Sequence, residues 1–176
     1  MGIERRFVAN LSGANVVPPV VTTGTGTATF RWVKRRGHKH RRLLFNVTVT
    51  DLPNIIAINL QSGRPTENGP IIATLFLSEL AGGTISPDLT VSGRIRQADL
   101  SGPFAGATLK KLIKAMARGL TYVQVYTFDL PNGALRGQVM EVPPVSLDTM
   151  DPPLVVWRDG SWSEMMAGMG ENAAGF

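Results

Sequence analysis

The chain has 176 residues, 43% of them hydrophobic and 18% charged, with a formal net charge of +5 and no cysteine. That length suits one core of about 100 to 200 residues plus an appendage, and no apolar run approaches the ~20 residues of a membrane-crossing helix, so no span is expected. Without cysteine there are no disulfide staples, thiolate metal sites or thiol nucleophiles, and compartment stays open because a domain this large can be stable without covalent help.

Met1–Val8 (MGIERRFV) passes directly into a strand-like pattern. No export signal is visible there, so synthesis in the cytoplasm is expected, and Arg6 stands where N-myristoylation requires Ser or Thr. Further on, Thr27–Val33 alternates Ala28, Phe30 and Trp32 against Thr27, Thr29 and Arg31, and Leu43–Thr50 alternates Leu43, Phe45, Val47 and Val49. Both read as strands with one apolar face. Seven of the 18 Lys and Arg residues fall between Arg31 and Arg42, and the basic segment between the two strands is then a hairpin tip. After the turn Asp51–Asn54, the period predicts that Ile56, Ile58 and Leu60 point to the core while Ala57, Asn59 and Gln61 face out. Pro70–Leu77 and Leu89–Ile95 are further strands.

One helix interrupts them. Leu109, Leu112, Ile113 and Met116 recur at spacings of three and four, opposite Lys110, Lys111, Lys114 and Arg118. Thr108 is placed to cap its first turn and Gly119 to end it in the left-handed conformation. Strands at Leu120–Phe128 and Leu135–Val142 follow. The expected count is about eight strands at short spacing, a sandwich or barrel. From Pro143 the character changes. Two Pro-Pro pairs precede a strand-like Leu154–Arg158, and residues 143–176 read as an extension of the domain formed by residues 1–142.

Asn10–Pro19 (NLSGANVVPP), Asn68–Phe76 (NGPIIATLF), the helix Ala107–Gly119 and Thr121–Val139 (TYVQVYTFDLPNGALRGQV) together resemble the CHRD family, the domain first described in chordin, over roughly residues 5 to 142. The resemblance implies a mainly β Greek-key sandwich or barrel akin to copper-zinc superoxide dismutase, with one amphipathic helix. It also implies a metal-binding face, since family members commonly carry His-x-His in the middle strand and a further His before the Thr of the late strand. Here those positions read Asn59-Leu60-Gln61 and Tyr126-Thr127. Carboxamides and a phenol with pKa about 10 are poor ligands for zinc or copper beside imidazole, so no metal and no cofactor is expected. Where the family usually has Glu before Ile-Arg-Gly, Ala134 precedes Leu135-Arg136-Gly137, and Arg136 loses its usual acidic companion.

Catalytic constellations are missing. The acidic residues are scattered, and Gly24–Thr29 lacks the Gly-Lys-Ser/Thr of a phosphate loop and leads into a strand. His38 and His40, the only histidines, sit among positive charges that repel a cation. Arg35, Arg36, Lys39, Arg41 and Arg42 are candidate contacts to an acidic surface or polymer, whereas specific nucleic-acid binding is not expected because no aromatic side chain accompanies them for stacking. In the extension, Leu154, Val155, Val156, Trp157 and Trp162 are candidate subunit contacts, since a strand can join an exposed sheet edge and aromatics anchor interfaces. Met165, Met166 and Met169 suit a flexible apolar surface better than copper(I).

These readings point to a non-enzymatic structural protein that assembles into a homo-oligomer or larger body such as a filament. By family resemblance, a place on a bacterial cell or spore surface is expected. The alternative is a ligand-binding module, with a residual metal site or a basic surface for polyanions.

Overall fold

Alternating apolar side chains build the first three strands. β1 (Arg5–Ser12) buries Phe7, Ala9 and Leu11, while β2 (Thr25–Lys34) and β3 (Arg41–Thr50) pair antiparallel from Thr25↔Thr50 to Lys34↔Arg41. Phe30, Trp32, Leu43, Val47 and Val49 are buried along that pair, each stabilising the core by about 1.5–3 kcal/mol relative to exposure. The computed structural model describes residues 4–34, 37 and 41–143, together with residues 155–156 and 162–163. Arg35, Arg36, His38, Lys39 and His40, the core of the expected hairpin tip, thus lie outside the described residues; the β2–β3 pairing ends at Lys34↔Arg41 on either side of them.

The remaining strands are β4 (Ile55–Ser62), β5 (Ile71–Leu77), β6 (Leu89–Ile95), β7 (Thr121–Thr127), β8 (Leu135–Gln138) and β9 (Met140–Val142). The expected single strand Leu135–Val142 is broken at Val139, whose side chain is buried and whose N–H donates to Thr121 O at 2.9 Å. The main sheet runs β5-β4-β7-β8-β1-β2-β3-β6, with β9 also on β1. Every pairing is antiparallel, and the sheet curls into a nearly closed barrel around the apolar core. Connections from β3 to β4, β5 to β6 and β6 to β7 pass between strands that are not neighbours, as in Greek keys.

The helix α1 (Leu109–Ala117) buries Leu112, Ile113 and Met116. Thr108 caps it, its side-chain oxygen accepting from Lys111 N at 3.4 Å, and Gly119 adopts φ +66° just past its end. The chain divides into the units Met1–Pro143 and Pro144–Phe176. In the second, β10 (Val155–Val156) pairs antiparallel with β11 (Trp162–Ser163). Leu154 and Trp157 lie outside the described residues.

Candidate functional site

The face expected to be wet is dry. Asn59 and Gln61 are 6% and 7% exposed, Gln124 and Tyr122 are fully buried, and Tyr126 is half-buried. Period two identified which residues share a face, but the segments at residues 13–20 and 63–70 fold over that face and exclude water. Ile56, expected in the core, is only half-buried, and the neighbouring Ile55 is buried instead.

At one end of this face stands Arg136, 1% exposed. Its Nη1 donates to Asn68 Oδ1 at 2.8 Å, and its Nη2 donates to the carbonyls of Arg64 and Glu67, both at 2.7 Å. Its guanidinium carbon lies 3.6 Å from the centroid of the Tyr122 ring. Burial lowers the Arg136 pKa, yet a guanidinium remains charged in proteins. The site thus holds a cation through three neutral oxygens and a π face, where the family pattern would supply a carboxylate. Tyr122 Oη accepts from Gly69 N at 2.9 Å, Asn68 Nδ2 donates to Val17 O at 2.7 Å, and Gln138 Nε2 donates to Gly63 O at 2.9 Å and Gly119 O at 2.6 Å. The segment 63–70 is therefore tied to β7, β8 and the 13–20 segment at once. Gly69 permits it to lie so close, because a Cβ there would collide with the Ser62 carbonyl.

At the other end, Tyr126 Oη donates to Gln61 Oε1 at 2.8 Å, and Gln61 Nε2 donates to Gly69 O at 3.1 Å. Asn59 pairs in register with Gln124, whose Nε2 donates to Asn132 O at 2.8 Å. Asn59 Oδ1 and Gln124 Oε1 are buried without a hydrogen-bond partner. Asn59, Gln61 and Tyr126 do share one face, as expected, but they do not fit a transition-metal centre. Burial, which outweighs the Gln61 hydrogen bond, pushes the Tyr126 pKa up, so the phenol keeps its proton. Gln61 Oε1 is already engaged by that proton, and the oxygens left over belong to neutral amides, which suit hard cations poorly without a carboxylate beside them. Among the described residues no three His, Cys, Asp or Glu side chains group to hold a metal.

Two depressions flank the barrel. One, of about 390 Å³, is lined by Val16, Pro19, Pro65, Arg136 and Gln138 among others. The other, of about 750 Å³, gathers Arg41 and Arg42 of the predicted polyanion contacts with Arg94, Arg96 and Lys110 around Trp32. Sequence reading missed the last three cations. Arg94 and Arg96 lie more than fifty residues from the basic run, and only the β3–β6 register brings them beside it.

A third feature had no sequence signal. Leu77, Leu80, Ile85 and Phe128 are 71%, 53%, 87% and 63% exposed. Their segments converge on Asn54–Ala57: Leu77 pairs with Ala57, Ser78 N donates to Ile56 O, Thr84 N to Ile55 O, and Phe128 N to Asn54 O. They form an apolar rim at the end of the barrel away from the β2–β3 tip.

Fold and site together define a Greek-key β-barrel domain organised around a buried, hydrogen-bonded polar sheet face. The segments that meet at Arg136 are the same ones that resemble a known family, and a family model described as the CHRD domain matches residues 7–139. The chain belongs to the CHRD domain family. No curated protein and no solved structure matches it.

Proposed function

We propose that this protein is a non-enzymatic assembly protein in which the C-terminal extension of one copy docks on the apolar rim of the next. The observation that carries the reading is the rim itself: four large apolar side chains, each more than half exposed, carried on segments whose backbones converge on Asn54–Ala57 at one end of the barrel. Singly exposed apolar residues are ordinary, whereas a contiguous group marks a contact surface.

The occupant follows from the chain's own needs. Residues 144–176 form a unit of their own, and a segment below about 40 residues without disulfides rarely supports an independent core. Its Leu154, Val155, Val156, Trp157 and Trp162 therefore need a surface to cover them. The domain releases the extension far from the rim, because Val142 pairs with Arg6, which pairs with Arg31 near the β2–β3 tip, while the rim follows Thr50, the partner of Thr25. Six residues of strand separate Thr25 from Arg31, about 20 Å at 3.3 Å per residue. A contact between the extension of one copy and the rim of the next is head-to-tail and repeats along a filament. Edge pairing through β5 is less suited to such a contact, since its register is bulged twice and Ser101 N already donates to Ile72 O at 2.7 Å.

A place on a bacterial cell or spore surface fits such a filament. Sedimentation velocity of the full chain tests the reading. Association that grows with concentration and is lost in Phe128→Asp supports it, and a single-chain species at every concentration opposes it.

A further inference from the structure

We propose that the groove at the Trp32 end of the barrel binds an oligoanion of linked phosphate groups through Arg42, Arg94 and Lys110. The inference is independent of the assembly reading, since the apolar rim lies at the other end. Three elements build the site. β3 and β6 pair with Leu43 opposite Ile95 and Leu44 opposite Arg94, which brings Arg42 to the same rim of the sheet as Arg94 and Arg96. Ile95 points into the core, so its neighbours Arg94 and Arg96 both turn outward, and both are exposed. Lys110 enters from the first turn of α1, which holds no acidic residue.

The charges at this groove are poorly balanced. Among the described residues no carboxylate lines it. Arg96 is answered by Asp99, at 3.5 Å, and Arg31 nearby by Glu4, at 2.8 Å. Arg42, Arg94 and Lys110 take part in no ion pair among the described residues. Like charges lining a concavity focus a positive potential that an anion relieves, and the first-turn amides of α1 add to it.

Size and chemistry narrow the ligand. A groove of about 750 Å³ takes several linked groups rather than a single small anion. Guanidinium forks match phosphate oxygens in pairs, and the lysine adds a point charge. Base stacking is closed off, because Trp32 is 6% exposed and the Arg41 guanidinium lies over its ring, 6.0 Å from the centroid. The ligand is read by its phosphates alone.

The test is isothermal titration of the full chain with inorganic tripolyphosphate and, separately, with a single-stranded oligodeoxythymidylate. Saturable tripolyphosphate binding is expected, weakened about tenfold as salt rises from roughly 50 to 200 mM. Arg94→Gln and Lys110→Gln, on separate elements, should each weaken it at least fivefold. Lys114→Gln, exposed on α1 but not lining the groove, should leave it unchanged. Absence of saturable binding overturns the proposal, as does equal weakening by Lys114→Gln, or binding of the oligonucleotide alone, which would demand contacts to bases.

Discussion

Arg136 and Tyr122 stack at 3.6 Å beneath a loop that neither belongs to, and both reach up to it: Arg136 to the carbonyls of Arg64 and Glu67, Tyr122 to both backbone groups of Gly69. The pair acts as a clamp. Through Asn68, which accepts from Arg136 and donates to Val17 O, it also holds the 13–20 segment. The loop order that buries the polar sheet face thus depends on one cation without a carboxylate partner.

Removing that cation should therefore be costly. Arg136→Ala strands three oxygen acceptors and opens a cavity beside Tyr122, and each lost charge-assisted bond contributes roughly 1.5–3 kcal/mol, part of which solvent restores. A loss of about 2–4 kcal/mol in chemical denaturation is expected. Arg136→Lys should recover little of it, since one ammonium cannot span three acceptors and stack on a ring.

Gly69 should be nearly as sensitive for a steric reason. A methyl group there meets the Ser62 carbonyl, a rigid backbone atom at the end of β4, so the loop must lift. Gly69→Ala should destabilise the domain by about 1–3 kcal/mol and raise hydrogen exchange at Gly69 N, whose acceptor is Tyr122 Oη. Unchanged exchange there would contradict the close packing.

Tyr126 predicts a pH dependence. Burial raises its pKa in the folded state, so the unfolded chain releases this proton first as pH rises. The contribution is complete below the unfolded value near 10 and fades as pH climbs toward the folded value. Tyr126→Phe should be less stable by about 1 kcal/mol near pH 8, because Gln61 Oε1 loses its donor. The gap to the parent chain should narrow by about pH 11. A gap that stays constant would mean that the phenol is not desolvated.

Much of the barrel was legible because its signals are local. Ala28, Phe30 and Trp32 announce β2 by alternation, and Thr108 and Gly119 mark the ends of α1. The polar face was legible only in part. Alternation placed Asn59 and Gln61 together, but their burial depends on the 63–70 loop, whose path is set by contacts to residues 17, 122, 136 and 138 that no local period encodes. Arg94 and Lys110 were hidden for a similar reason, since a basic site assembled from β3, β6 and α1 leaves no run in the sequence. The rim formed by Leu77, Leu80, Ile85 and Phe128 comes from three separate strand ends and loops.

Head-to-tail docking is the central claim, and mixing two defective chains tests it most directly. A Phe128→Asp chain keeps its extension but lacks the rim, and a Trp157→Asp chain keeps the rim but lacks the aromatic anchor. By light scattering each alone should have the mass of one chain, while an equimolar mixture should form a species of two chains and no larger, because only one competent contact exists between them. A mixture that stays at the mass of one chain, or two variants that associate as the parent does, would contradict the account.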